Sequence, residues 1–292
     1  MAIFGEVLTA MVTPLNDDLS VNYKGVRKLA RHLIENGSDG LVVLGTTGES
    51  PTLTKEEKLK ILKVVKDEVG QEACIIAGTG TNSTQATIDL TIEAEKLGVD
   101  GVMLVAPYYN KPPQEGFYNH FKQVAQVTKL PIMVYNVPGR SAKNIEPETI
   151  VRLAKIENIV AVKEASGDLD QVSKIRSLTS PDFAIYSGND SQTLPILAIG
   201  GTGIISVASH IVGNEIKEMV ELFKKGEVGK AAIKHSNLMT IFKGIFITTN
   251  PIPIKYLLNQ MGINVGPVRP PLVEAEPNQK AHLTNLLNSI KK

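Results

Sequence analysis

Leu8-Thr9-Ala10-Met11-Val12-Thr13-Pro14-Leu15 is the stretch on which the choice of fold turns. Its apolar and β-branched start reads as a first strand over Leu8–Val12. What comes next separates two architectures. An open doubly wound sheet often carries G-x-G-x-x-G directly after that strand, where glycines let backbone amides close on a phosphate. Here Thr13-Pro14-Leu15 follows instead. Gly78-Thr79-Gly80 offers a second chance, but Ser83 stands where the last glycine belongs. The reading favours a closed barrel over an open sheet.

Working outward, short apolar runs recur at even intervals. They predict further strands over Gly40–Leu44, Cys74–Ala77, Gly101–Val105, Pro131–Tyr135, Ile159–Val162, Ala184–Tyr186 and Gly203–Ser206. Most are rich in Val, Ile and Leu with little alternation, as in parallel strands covered on both faces. Amphipathic stretches lie between them, at Asn22–Asn36, Thr54–Val69, Ser83–Leu97, Gln114–Thr128, Pro147–Lys155, Leu169–Leu178, Ser191–Ala198 and Ile211–Lys225. Thr54 and Glu57 form a capping box, and Pro147 suits a first helical turn. Gly37, Gly70 and Gly98 stand just past three helices, where a left-handed residue ends them. Strand–helix alternation repeated eight times predicts an α/β fold, a TIM (β/α)₈ barrel. The catalytic barrel is expected to occupy residues 1–226. Residues 227–292, broken by Pro251, Pro253, Pro267, Pro270 and Pro271, are expected to form a helical C-terminal extension of two or three helices. A length of 292 residues suits one barrel, which takes ~250 residues, plus such an extension.

Composition narrows the partners. Thirty-one basic and 30 acidic residues leave a formal net charge of +1, so neither nucleic acid nor an anionic membrane is expected. No run of ~18 apolar residues occurs, so no membrane span is expected. The start MAIFGEVLTAMVTPLNDD lacks a basic region before its apolar stretch and does not read as a signal peptide. Cys74 is the single cysteine, which excludes an internal disulfide and fits a reducing cytoplasm. A small core residue is its expected role. Histidines 32, 120, 210, 235 and 282 show no metal-site spacing, so no metal or other cofactor is expected.

In a barrel enzyme the site lies at the C-terminal ends of the strands. There the sequence turns polar: Gly45-Thr46-Thr47-Gly48-Glu49-Ser50, Pro107-Tyr108-Tyr109-Asn110, Tyr135-Asn136-Val137-Pro138-Gly139-Arg140, Lys163-Glu164-Ala165-Ser166-Gly167 and Ser187-Gly188-Asn189-Asp190. Lys163 is the sharpest signal. An amine after Ile159-Val160-Ala161-Val162 ends a buried strand, where desolvation disfavours the ammonium. Its bland alternative is a rim lysine that snorkels into water. The neutral amine attacks carbonyls, and at pKa ~10.4 only roughly one lysine in a few thousand is neutral at pH 7. Burial and a cation such as Arg140 raise that fraction. The imine formed with a 2-keto acid acidifies the neighbouring carbon, and the resulting enamine attacks an aldehyde.

Such chemistry needs a proton shuttle and a carboxylate grip. Tyr135 and Tyr109 are shuttle candidates, with Thr46 or Thr47 as a hydroxyl bridge. Each tyrosine could equally be an amphipathic barrel residue, and for Tyr108 packing is the preferred reading. The Gly45–Gly48 turn suits a carboxylate, because successive amides form an anion-binding concavity. Arg140 could clamp a second carboxylate, or be an ordinary loop arginine. Gly200-Gly201-Thr202-Gly203 reads either as a phosphate grip or as a tight turn letting the last strand approach a ligand.

GTTGES, PYYN, YNVPGR, VKEASG and NPIPIK, in this order and spacing, resemble the dihydrodipicolinate synthase family over nearly the whole chain. That family lies within the N-acetylneuraminate lyase and class I pyruvate aldolase superfamily. The resemblance implies condensation of pyruvate with L-aspartate 4-semialdehyde, the committed step toward diaminopimelate and lysine. It implies that Lys163 forms the Schiff base and that Tyr135 is the general acid/base. Thr46 and Tyr109 would complete the relay, with Tyr109 reaching into an adjacent subunit. Thr47 would hold the pyruvate carboxylate, Arg140 would receive the semialdehyde, and Gly188 and Ile205 would line the pocket. A homotetramer built as a dimer of dimers is implied too. Sister enzymes such as N-acetylneuraminate lyase and 2-keto-3-deoxygluconate aldolase share barrel and imine. Arg140 discriminates, since a sugar aldehyde needs hydroxyl partners instead of a carboxylate clamp. Ser141 replaces the family's usual Thr and keeps a hydroxyl. Where lysine-inhibited relatives use two histidines and a glutamate, this chain has Lys55, Lys58 and Ala86, which implies weak or absent feedback by lysine. Two readings from other classes remain: an isomerase of phosphorylated sugars using Gly200–Gly203, and a keto-acid sensor without turnover.

Overall fold

Side chains along the strands point alternately to two sides, and that alternation builds two cores. In a computed structural model describing residues 3–290, Leu8, Val42, Met103, Met133, Ala161, Ala184, Tyr186 and Ile205 point into one cluster. Their neighbours Val7, Leu41, Val102, Ile132, Val162, Ile185 and Ile204 belong to the other, packed under the helices. Both faces are therefore apolar, which is why the sequence shows runs and not alternation.

The elements follow in chain order. They are β1 (Val7–Ala10), α1 (Tyr23–Glu35), β2 (Gly40–Val43), α2 (Lys55–Val69), β3 (Cys74–Gly78), α3 (Thr84–Lys96), β4 (Gly101–Val105) and α4 (Gln114–Ala125). Next come β5 (Ile132–Asn136), a short α5 (Pro138–Ser141), α6 (Pro147–Leu153), β6 (Ile159–Glu164), α7 (Leu169–Leu178), β7 (Ala184–Ser187) and α8 (Thr193–Ala198). The last are β8 (Gly203–Ser206), α9 (Ser209–Lys224), α10 (Val228–Gly244), α11 (Ile252–Gln260) and α12 (Pro277–Ile290). The eight strands close in sequence order, all parallel, with β8 beside β1. This is the TIM barrel expected from the strand–helix repeat, with a helical C-terminal portion.

Local chemistry accounts for most element ends. Asn22 and Ser83 cap α1 and α3 by accepting from Gly25 N at 2.8 Å and Ala86 N at 3.3 Å. The Thr54–Glu57 capping box closes at 3.2 and 2.8 Å. Gly37 and Gly98 are left-handed at φ +95° and +70°. Gly70 is not; at φ −69° it continues the helical turn, so a right-handed cap ends α2. β1 stops at Ala10, short of the expected Val12, because the Val12 amide leaves the ladder and donates to His210 Nε2 at 3.2 Å. Pro131 lies outside β5, since proline has no N–H to give; its carbonyl still accepts from Val102 N at 3.0 Å. α4 ends at Ala125 instead of Thr128, whose hydroxyl folds back to accept from Leu130 N. α9 begins at Ser209, two residues early, and is kinked at Val212. The Asp190–Gln192 segment is a 3₁₀ turn preceding α8.

Gly200–Gly203 corrects a sequence expectation. The run precedes β8 and so lies at the opposite end of the barrel from the strand C-termini. A Cβ on Gly203 would meet the Glu6 carbonyl oxygen at 2.0 Å, so the glycine serves strand entry. It neither grips phosphate at the mouth nor brings β8 to a ligand there.

Candidate active site

Lys163 occupies an inward position near the top of β6, two residues above Ala161. It pairs in register with Tyr135 of β5 and Tyr186 of β7. Lys163 is 5 % exposed, and its Nζ lies 4.3 Å from the centre of the Tyr135 ring. Burial drives the amine down to about 7, with help from Arg140 and against the pull of Asp190. Near neutral pH about half the amines at that value are neutral, against roughly one in a few thousand for an ordinary lysine. A Cβ on Gly188 would come within 3.2 Å of Lys163 Cε and 2.6 Å of Ala165 Cβ, so glycine there leaves room for the lysine arm.

Asp190, to which the sequence reading gave no role, supplies the buried counter-charge. Burial raises its pKa, while donors from Ser206 Oγ, Val207 N at 3.4 Å and Ala208 N at 3.3 Å hold it down. Tyr135 is buried too. Burial pushes its phenol up, while Arg140 and the nearby Thr46 hydroxyl pull it back. Thr46, Tyr135, Arg140 and Lys163 are thus gathered at one mouth. Tyr109 is not: it is 88 % exposed and left-handed at φ +71°. Ile205 is buried in the barrel interior, and Val207 just beyond β8 lines the cavity.

The turn after β2 is held in a strained shape. Leu44 and Glu49 are left-handed at φ +64° and +56° without being glycine. All six non-glycine residues with positive φ among the described residues lie in loops after strand C-termini, the face where strain accompanies function. Thr13 Oγ1 donates to Gly48 O at 2.6 Å. The Glu49 carboxylate is buried against Lys255 of α11 at 2.8 Å, both side chains 2 % exposed, and accepts from Arg269 N at 2.7 Å. Lys255 also donates to Thr13 O and Pro267 O. Arg269 meets Glu57 through two hydrogen bonds of 2.9 Å. The C-terminal portion therefore clamps the turn after β2. Removing one partner of a buried pair strands the other charge. Lys255→Met is expected to cost about 3–5 kcal/mol in urea unfolding; a loss below about 1 kcal/mol would show that Glu49 finds another partner.

Arg140 sits at the rim on α5, which starts with Pro138 in its first turn. A buried amide network holds this loop. Asn136 Nδ2 donates to Asn144 Oδ1 at 2.8 Å and to Glu164 at 3.1 Å, and Gln171 Nε2 donates to Glu164 at 3.0 Å. Burial raises the Glu164 pKa against these donors. Arg140 Nη2 donates to Asn250 O at 3.2 Å, and Asn250 Nδ2 donates to Thr47 Oγ1 at 2.9 Å. Thr46, Thr47, Tyr135, Arg140, Lys163 and Gly188 line one cavity of about 460 Å³. That volume suits a small keto acid together with a second reactant. A second cleft of about 220 Å³ shares Thr46, Tyr135 and Arg140 and is lined further by Tyr108 and Lys58. The arrangement offers a neutral amine, a phenol–hydroxyl pair and cationic and amide donors around one space, a set able to form an imine and move protons on it.

The profile of the Dihydrodipicolinate synthetase family matches residues 3–290. The chain belongs to that family. A Desulforudis audaxviator protein named 4-hydroxy-tetrahydrodipicolinate synthase is 57 % identical over 97 % of both chains. A dihydrodipicolinate synthase structure from Bacillus anthracis has a TM-score of 0.97 and 48 % identity, covering 100 % of both chains. One from Cyanidioschyzon merolae, with lysine bound, has a TM-score of 0.98 and 46 % identity over 100 % of this chain and 99 % of its own. The chain is accordingly an enzyme of a lyase family, and the synthase reading is favoured over the sister aldolases.

Local contacts account for His210 and Cys74. No group of three potential metal ligands occurs among the described residues. His210 accepts from Val12 N and bonds Val207 O through Nδ1, and burial lowers its pKa to about 4. Cys74 is half-buried at the start of β3, its thiol pushed up to about 12. Asp190, Glu49, Lys255 and Asn250 are the residues that sequence reading passed over. Only Lys255 carried a signal, a lysine inside the apolar NPIPIK segment.

Proposed function

We propose that this chain condenses pyruvate with L-aspartate 4-semialdehyde through an imine on Lys163. The observation that carries the proposal is a buried amine near pKa 7 stacked over the Tyr135 ring at the barrel mouth. The neutral Lys163 amine adds to the ketone carbon, and water leaves to give the imine. Tyr135, with Thr46 beside it, moves protons on and off the reacting oxygen and nitrogen. Loss of a methyl proton gives an enamine, which forms the carbon–carbon bond to the aldehyde. The acceptor's own amine then adds to the imine carbon, closing a ring and releasing Lys163. Thr47 and the amides of its turn take the pyruvate carboxylate, and Arg140 takes that of the semialdehyde. Gly188 and Val207 line the pocket around the lysine, and Ile205 packs within the barrel interior. No metal or other cofactor enters this scheme.

The test is turnover of pyruvate with L-aspartate 4-semialdehyde against N-acetylmannosamine and glyceraldehyde. Preference for the semialdehyde is expected. Preference for a sugar aldehyde would move the enzyme to a sister aldolase.

The proposal extends to assembly. Tyr109 projects from one copy, and the cleft beside Thr46 and Tyr135 is free to receive it from another, as family resemblance implies. Such an exchange would pair two copies, and the family resemblance extends the pair to a homotetramer, a dimer of dimers, in the cytoplasm, where Cys74 stays reduced. Among the described residues no helix is long and apolar enough to cross a membrane.

Lysine feedback is expected to be weak or absent. Lys58 of α2 lines the second cleft half-buried, Lys55 of α2 and Ala86 of α3 are exposed, and no carboxylate lines that cleft to receive a cationic ligand. Steady-state inhibition by millimolar L-lysine at saturating pyruvate would refute this.

A further inference from the structure

Asn250 lies just before α11, 6 % exposed, and lines the cavity that holds Lys163. It touches both groups assigned above to anions, in opposite senses. Its Nδ2 donates to Thr47 Oγ1 at 2.9 Å, and its backbone oxygen accepts from Arg140 Nη2 at 3.2 Å. Its Oδ1 is buried without a hydrogen-bond partner. A buried acceptor left unpaired is costly, so packing alone does not explain this amide.

A threonine hydroxyl has one proton and two lone pairs. When Thr47 accepts from Asn250, its own proton is left for another partner. We infer that Asn250 sets the hydrogen-bond polarity of Thr47, so that the hydroxyl offers its proton, and not a lone pair, to the carboxylate of the keto acid. Asn250 is thus a positioning residue acting through Thr47. The inference rests on the reading that Thr47 and its turn receive that carboxylate.

Asn250→Asp tests it, because the shape is kept while the donor becomes an acceptor. The aspartate captures the Thr47 proton and turns an oxygen lone pair toward the substrate anion. The KM for pyruvate is expected to rise ~10–100-fold, the loss of a charge-assisted hydrogen bond, with kcat at saturating pyruvate within about threefold. In a Thr47→Ser background, which keeps the hydroxyl, the rise should persist. In a Thr47→Val background Asn250→Asp should add nothing further. An unchanged pyruvate KM in Asn250→Asp overturns the inference. So does an equal penalty with valine at position 47, which would mean that the new charge acts directly on Lys163 or Arg140. Should the aspartate variant fail to fold, Asn250→Ala lets the Thr47 hydroxyl rotate freely. It should raise KM several-fold, an effect again lost with valine at position 47, and an unchanged KM there overturns the inference equally. Borohydride trapping of pyruvate on the unsubstituted protein separates the two levels: no adduct overturns the keto-acid reading itself, whereas an adduct with unchanged KM in the variants overturns only the role of Asn250.

Discussion

Lys163→Ala is expected to lower turnover by at least ~10³-fold and to abolish borohydride trapping of pyruvate, because it removes the atom that makes the covalent bond. The amine's burial beside Arg140 also fixes the pH dependence. Only the neutral form attacks, so the reactive fraction grows as protons leave. With the amine held at about 7, kcat/KM for pyruvate should climb as pH rises through 7 and level off above it. An ordinary lysine would keep gaining activity toward pH 10. Stopped-flow or steady-state rates between pH 5.5 and 9, taken on the unsubstituted protein, read the midpoint. Thermal unfolding of the alanine variant checks that the barrel survives. Near-normal turnover in Lys163→Ala would place the nucleophile elsewhere.

Tyr135→Phe is expected to reduce kcat by ~10²-fold or more. The substitution keeps the ring under Nζ at 4.3 Å and removes only the hydroxyl. Packing within the barrel interior is therefore preserved, and the loss reports proton transfer. Burial holds the phenol protonated at neutral pH, while Arg140 and Thr46 oppose that shift, so the proton can be given up and regained. The imine should still form, slowly, since Lys163 is intact. Single-turnover trapping with borohydride separates the two steps. A variant that matches the parent in kcat would confine Tyr135 to packing, and the relay would have to run through another hydroxyl.

Much of this was legible in the residues themselves. β4 and β8 begin and end where their apolar runs do, and the Thr54–Glu57 box opens α2, because these are local effects of pattern and capping. Lys163 could be singled out because a charged residue at the end of a buried run is expensive unless used. The Gly45–Gly48 turn and Arg140 could be named from chemistry and from resemblance to a family.

Other features had no local signature. That Tyr135 and Lys163 face each other depends on strand register, which is set by the whole closed sheet. Gly200–Gly203 looked like a ligand grip until the barrel placed it at the far end. Asp190 tunes Lys163 from the end of a neighbouring strand, 27 positions along the chain, and Lys255 meets Glu49 across 206. Sequence determined which residues could do chemistry, because side-chain type, helix caps and apolar period act over a few residues. Tertiary structure alone decided which of them meet, because electrostatics and hydrogen bonds depend on distance in space, and barrel closure brings remote positions within a few ångströms.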